Sequence, residues 1–265
     1  MAQPHTLILS GYGINCEEET KFAFEKAGAH ADIVHINDLI DSHKHLTHYQ
    51  ILCIPGGFSY GDDTGSGKAL AHRIKNNLWE ELQTSIQNDT LILGICNGFQ
   101  AMTNLGILPA LNNNYTPQAA LTHNDSARYL DRWVDLHFQG KSVWTRGLEN
   151  ISLPIAHGEG KFYTTPETLR QLKQKRMIAA RYITGGICAY QDLKANPNGS
   201  LDNIAAITNE TGRILGMMPH PERAISITQI PYWPLLNEEY KRQGRQLPKE
   251  GPGLHLFRNA VDYFE

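Results

Sequence analysis

The sequence predicts a three-layer α/β sandwich: a mostly parallel sheet between helices, with antiparallel strands added. Three observations carry this. Up to Gly106, short apolar runs alternate with stretches at helical spacing, the pattern of a parallel sheet covered on both faces. Beyond Gly106 the pattern changes to period-two alternation and a tight hairpin signal, which marks antiparallel strands. No linker-like stretch separates the two halves, so residues 1–265 read as one domain.

Each element has its own signal. Thr6–Leu9 is an apolar run fit for a first buried strand. The turn Ser10–Asn15 leads to a helix opened by Glu17–Glu19, with Asn15 as its cap and Gly28 as its stop. Ala31–Val34 and Tyr49–Ile54 supply the second and third strands. His43, His45 and His48 lie in the connector between them; they do not all share one helix face, and no carboxylate completes a metal set. Lys68–Leu82 reads as one helix and Leu91–Ile95 as a buried parallel strand. Val134, Leu136 and Phe138 alternate with polar residues, which predicts an antiparallel strand with one exposed face. Ile204–Thr208 and Ile214–Met218 flank the turn Asn209-Glu210-Thr211-Gly212, a hairpin. From Ile227 to Pro252 the chain becomes rich in proline, aromatic and charged residues without regular periodicity, an expected surface excursion at 227–252. Leu254, Phe257, Val261 and Phe264 then form one stripe of a closing helix.

The chemistry centres on Leu91–Met102. A buried strand, then Cys96, then Gly98 and a helix is the layout of a nucleophile elbow, with sulfur as the attacking atom. The helix directs its free N–H groups and positive end at the sulfur, which favours thiolate. A free cysteine is more often a buried hydrophobe, so the elbow needs a second signal. Gly216–Arg223 supplies it: His220 and Glu222 are one residue apart, and in extended chain both side chains point the same way. Pro219 and Pro221 disfavour helix there. Nucleophile, base and orienting carboxylate make a triad. Cys16 also precedes a helix but lacks the flanking glycine pair, which makes it the weaker candidate nucleophile. In the loop after the third strand, Gly56 and Gly57 allow backbone N–H groups to approach a substrate closely. Gly65-Ser66-Gly67-Lys68 is not a phosphate loop: Asp62 stands where the first glycine belongs, and Ala69 replaces the hydroxyl that would meet magnesium.

Gly94-Ile95-Cys96-Asn97-Gly98-Phe99-Gln100 and His220-Pro221-Glu222 resemble the class I (triad) glutamine amidotransferases. Pro55–Asp62 is similar to the oxyanion loop of the glutaminase subunits of phosphoribosylformylglycinamidine synthase, and Ala156–Phe162 matches that family too. The resemblance runs from Leu7 to about Ala224 and again near the C-terminus; Ile227–Pro252 is longer than the family needs. It implies that Cys96 is the nucleophile, His220 the acid and base, and Glu222 the residue that holds the imidazole tautomer. It places glutamine in the loop of Gly56, Gly57 and Phe58, with the oxyanion between the N–H groups of Gly57 and Asn97 and with Gln100 touching glutamine or the loop. It further implies no cofactor on this chain. ATP and magnesium belong on a synthetase subunit that receives ammonia and converts formylglycinamide ribonucleotide to the amidine in purine synthesis. A small accessory subunit is left open. Ammonia is mostly protonated in neutral water, which is a physical reason for such a partner. A glutaminase serving another amidotransferase, and a chaperone- or peptidase-like cysteine-elbow protein, stand as the alternatives.

The remaining composition sets bounds. A formal net charge of -3 argues against nucleic-acid or membrane-surface binding. No apolar run approaches the roughly 20 residues of a membrane span. The N-terminal stretch lacks a basic segment followed by an apolar core, so no secretory leader is expected. The four cysteines, Cys16, Cys53, Cys96 and Cys188, are scattered without zinc spacing and suit free thiols in a reducing cytoplasm.

Overall fold

In the computed structural model, which describes residues 3–265, the elements follow in chain order. The first half holds β1 (His5–Ser10), α1 (Glu17–Ala27), β2 (His30–His35), α2 (Ile36–Ile40), β3 (Ile51–Ile54), α3 (Lys68–Asn77), α4 (Trp79–Gln87), β4 (Leu91–Ile95) and α5 (Asn97–Leu105). Then come β5 (Ala119–Thr122), β6 (Leu130–Phe138), β7 (Asn150–His157), β8 (Lys161–Thr164), α6 (Pro166–Gln174), β9 (Ile178–Ile183) and α7 (Gly186–Gln191). The chain closes with β10 (Ile204–Thr208), β11 (Ile214–Met217), α8 (Trp233–Arg242) and α9 (Leu254–Asp262).

Nine strands form one sheet in the order β2-β1-β3-β4-β11-β10-β9-β6-β7. The pairs from β2 to β11 are parallel, and those from β11 to β7 are antiparallel. Strand β11 is therefore where the two sheet types meet, and it lies directly beside β4. The hairpin β10–β11 thus carries the residues after Met217 to the strand that ends at Cys96. Strands β5 and β8 make a separate antiparallel pair. Strands β3 and β4 are buried throughout, as parallel strands covered on both faces must be.

Several local expectations need correction. Lys68–Leu82 is not one helix: Leu78, at φ -127° and ψ 11°, separates α3 from α4. This turn lets Ile74, Leu78 and Leu82 all reach the core, each at 4% exposure. Asn15 does not cap α1. Cys16 takes that position without a side-chain cap bond, and its sulfur faces Asn15 Oδ1 at 3.4 Å. Strand β6 buries Val134, Leu136 and Phe138 as the alternation requires, yet its outward-facing Asp135 is buried too. The reason is α7, whose N-terminal N–H groups at Ile187 and Cys188 donate to the Asp135 carboxylate. Ile227–Pro252, expected to be irregular, holds α8, started by Pro234 in its first turn and burying none of its residues. Helix α9 closes on α1 through most of its predicted stripe: Leu254, Phe257 and Val261 are buried, and the Phe257 ring meets Phe24 edge-on at 4.8 Å, whereas Phe264 lies past the helix end and is half-buried. His45 Nδ1 lies 3.0 Å from Glu81 Oε1, a local polar contact between the connector and α4.

Candidate active site

The elbow forms because β4 must turn into α5 within one residue. Cys96 adopts φ 51° and ψ -105°, a conformation that costs a non-glycine residue on the order of 1–3 kcal/mol. Its N–H donates to Met217 O at 2.8 Å, so pairing with β11 holds the strained residue in place. Gly98 is obligatory for the close approach of α5 to the sheet: a Cβ there would stand 1.8 Å from Ile54 O.

Cys96 is 4% exposed, and its Sγ lies 3.6 Å from Ala156 O. His220 and Glu222 follow β11 and are buried, with His220 Nδ1 2.5 Å from Glu222 Oε1. The His220 N–H also donates to Pro154 O at 2.8 Å, which ties the dyad to β7. The predicted extended dyad is replaced by a 3-10 turn over Pro221–Arg223, closed by Ala224 N–H on Pro221 O at 3.0 Å. The fixed φ of Pro221 suits the first position of such a turn. The imidazole–carboxylate contact survives because the turn brings the two side chains together. Burial disfavours the imidazolium, but Glu222 and Cys96 beside it outweigh this and hold the His220 pKa well above its ordinary value. His220 Nε2 and Glu222 Oε2 are buried without hydrogen-bond partners.

The loop after β3 carries the residues expected to stabilise an anion. Phe58 N–H donates to Gly13 O at 2.7 Å and Asn15 N–H to Gly56 O at 3.4 Å, a bridge that leaves the Gly57 N–H outside it. Gly57 has φ +150°, and a Cβ there would meet Gly13 O at 2.6 Å. The Asn97 N–H opens α5 and so has no acceptor within the helix. The Asn97 side chain fixes the loop, accepting from Ser59 N–H at 3.1 Å and donating to Asp62 Oδ1 at 3.1 Å. Gln100 accepts from Asn97 Nδ2 at 2.9 Å and donates to Glu159 O at 2.6 Å. Its partners are thus the elbow and the stretch Ala156–Phe162, not the loop of Gly56, Gly57 and Phe58. Asp62 accepts the Gly67 N–H at 3.3 Å, so a carboxylate takes one of the donors a phosphate loop would need.

Cys96, Gly57, Phe58, Gln100, Arg128 and Glu159 line a cleft of about 240 Å³. Phe58 is 44% exposed and its ring stands 6.1 Å from that of Tyr129. The cleft also takes in His157, whose pKa burial and the nearby His220 push down to about 4. The excursion 227–252 adds nothing to this lining among the described residues. Sequence reasoning assigned no part to Arg128, Tyr129 or His157; His157 and Glu159 sit in the stretch Ala156–Phe162, which was the one available signal.

It also set Cys16 aside, yet the structure brings Cys16 to the dyad. Ligand atoms of Cys16, His220 and Glu222 lie within 4.8 Å of one another. Sulfur, imidazole and carboxylate form a zinc-like donor set. The Arg223 guanidinium lies beside two of these donors, with Nη2 3.0 Å from Cys16 Sγ and Nε 3.8 Å from Glu222 Oε1.

Residues 3–264 match the CobB/CobQ-like glutamine amidotransferase domain. The chain is 47% identical over 265 residues to the phosphoribosylformylglycinamidine synthase subunit PurQ of Methanococcus maripaludis strain C7, covering 98% of this chain and 97% of that one. It is 40% identical over 265 residues to the same subunit of Dehalococcoides mccartyi, covering 99% and 98%. Among solved structures, a chain of PurLQS from Thermotoga maritima superposes with a TM-score of 0.73 at 26% identity, covering all of both chains. A glutamine amidotransferase of Thermotoga maritima shares the fold at a TM-score of 0.55 and 11% identity, covering 99% of this chain and 98% of that one. No helix among the described residues is long and apolar enough to cross a membrane. The chain belongs to the CobB/CobQ-like glutamine amidotransferase family, and within it groups with the PurQ subunits of phosphoribosylformylglycinamidine synthase.

Proposed function

We propose that this chain is the glutaminase subunit of a phosphoribosylformylglycinamidine synthase, working as one amidotransferase domain over residues 1–265. The observation that carries the reading is the buried His220–Glu222 pair, 2.5 Å apart, beside a cysteine in a strained elbow that opens on a cleft. In the cleft, Arg128 suits the α-carboxylate of glutamine, and Glu159 and Asp62 suit its ammonium group. His220 takes the Cys96 proton, and the sulfur attacks the side-chain amide carbon. The oxygen becomes an anion between the N–H groups of Gly57 and Asn97, and such donors act most strongly on charge that develops in the transition state. His220 then protonates the departing nitrogen, ammonia leaves, and a glutamyl thioester remains on Cys96. Water adds to the thioester as His220 accepts its proton. Glutamate leaves and the thiol is restored. Glu222 keeps Nδ1 protonated, so Nε2 faces the reaction.

The ammonia passes to a synthetase partner that holds ATP and magnesium and makes formylglycinamidine ribonucleotide in the cytoplasm. The names of the 40–47% identical relatives and the PurLQS assembly support this partner. They also disfavour the chaperone- and peptidase-like alternatives. The test is Cys96→Ser in the complex assembled with the synthetase. Glutamine-dependent synthesis is expected to vanish while synthesis from added ammonia continues. Loss of both rates in an intact complex, or retention of the glutamine-dependent rate, overturns the reading.

A further inference from the structure

Behind the triad lies a second set of buried polar groups that the reaction above does not use. Cys16, at the start of α1, is 1% exposed. Arg223 Nη2 contacts its sulfur at 3.0 Å and Glu19 Oε1 at 3.5 Å, while Arg223 Nε lies 3.8 Å from Glu222 Oε1. The sulfur also belongs to the close group formed with His220 and Glu222. Gly56 marks how tightly they converge: a Cβ there would stand 2.8 Å from His220 Cε1 and 3.1 Å from Cys16 Sγ. One guanidinium thus bridges the first turn of α1 to the carboxylate that orients the base.

The chemistry gives this bridge a purpose. Glu222 is buried with one oxygen unpartnered, and an uncompensated buried carboxylate is costly. Arg223 is the cation beside the carboxylate from outside the triad, with Nε 3.8 Å from Oε1, the oxygen that also meets His220. The Arg223 side chain is 38% exposed, and Cys16 and Glu19 contact it beside the dyad. A soft sulfur acceptor fits the edge of a guanidinium and packs against an imidazole without offering the ring a competing strong acceptor.

We propose that Cys16 and Arg223 are positioning residues for glutamine hydrolysis: Cys16 seats Arg223, and Arg223 holds Glu222, and through it His220, in the charge state and orientation the reaction needs. This rests on the glutaminase reading. The titratable and charged groups facing His220, Glu222 and Arg223 are those three on one turn, Cys16 and Glu19 at the start of α1, Cys53 from β3, Cys96 from the elbow, His157 from β7 and Tyr129 ahead of β6. Removing the Arg223 cation makes every deprotonation in this group harder, whether the proton leaves nitrogen or sulfur. The acidic limb of the rate profile therefore moves to higher pH.

The experiment measures kcat and KM for glutamine against pH in the assembled complex for the parent, Arg223→Gln, Arg223→Lys, Cys16→Ala and Cys16→Ser, with Cys96→Ser as control. Arg223→Gln is expected to raise the acidic-limb midpoint by about half a pH unit, the size left to a partly exposed charge after solvent screening. It should lower kcat about tenfold or more with little change in KM. Arg223→Lys restores the midpoint but only part of kcat, since it keeps the charge and loses the fork. Cys16→Ala lowers kcat several-fold, and Cys16→Ser, which still accepts from Arg223, recovers part of it. Ammonia-dependent synthesis stays at the parent level in all of them. Unchanged midpoints and kcat in Arg223→Gln and Cys16→Ala, with activity still dependent on Cys96, overturn the positioning role alone. Equal losses of glutamine- and ammonia-dependent rates mark a structural role and overturn it too. Activity that survives Cys96→Ser overturns the glutaminase reading and this proposal with it.

Discussion

Gly56→Ala tests how tightly the base is held, because the added methyl points at the imidazole. Its carbon would stand 2.8 Å from His220 Cε1, about 0.7 Å short of a van der Waals separation of roughly 3.5 Å. The ring has little room to retreat. It is 2% exposed, its Nδ1 is held 2.5 Å from Glu222, and its backbone N–H is held 2.8 Å from Pro154 O. Cys16 Sγ, 3.1 Å from the same methyl, closes the other direction. No positive φ applies at Gly56, so the effect is one of contact and not of backbone strain. Overpacking of this kind costs about 1–3 kcal/mol of stability, which a folded domain survives. A misplacement near 1 Å at a reacting group costs on the order of 10²-fold in rate. The glutamine-dependent kcat of the assembled complex should therefore fall by about 30- to 100-fold, while the ammonia-dependent rate holds. Glutamate release is the assay, with a thermal melt alongside. A variant that melts like the parent and turns over within twofold of it refutes the claim that His220 has no freedom to move.

Two further predictions concern the triad itself. Glu222→Gln removes the carboxylate that raises the His220 pKa, so kcat should fall on the order of 10²-fold and the basic limb of the profile should move to lower pH. Because the folded His220 pKa exceeds the unfolded value near 6.5, the protonated ring stabilises the fold fully below about pH 6.5 and this is lost as pH rises through the folded value. The variant should therefore lose more stability at pH 6 than at pH 9 by urea unfolding, and equal losses would show that the pair does not titrate with folding. A glutamine analogue with an electrophilic warhead should modify Cys96, which lines the cleft, and spare Cys16, which is 1% exposed behind the dyad; peptide mapping that finds the adduct on Cys16 reverses the assignment.

The added antiparallel half builds part of the candidate site. Strand β11 runs parallel to β4 with Gly216 opposite Gly94 and Met217 opposite Ile95. The chain leaving β11 therefore emerges level with the chain leaving β4, and the first polar residue after it is His220. Strand β7 supplies Pro154 O to the His220 backbone and Ala156 O to the Cys96 sulfur, so one edge of the antiparallel half touches both partners.

Local pattern was enough for much of this protein. Short apolar runs bounded by glycine announced the parallel strands, because such strands are buried on both faces. The hairpin turn at Asn209–Gly212 announced β10 and β11 in the same way, since its residues suit that turn and little else. Cys96, Gly98, His220 and Glu222 stood out because each sits in a short motif, and the structure brings His220 and Glu222 together through a 3-10 turn and not through the extended chain that their spacing suggested. Other features depend on residues far apart in the chain, and no local pattern encodes them. Leu78 breaks a helix whose composition would have allowed it to continue; on one straight helix Leu70 and Ile86 would fall roughly 160° apart around the axis, whereas both are buried here. Asp135 is buried on a face that alternation marks as exposed, because α7, some fifty residues later, brings its N–H groups there. Cys16 looked like the lesser of two helix-start cysteines and lies against the dyad, because β1 and β3 pair side by side and lay the turn before α1 on the loop of Gly56. Arg223 reaches Cys16 across 207 positions of sequence, and only the folded sheet brings the two within 3.0 Å.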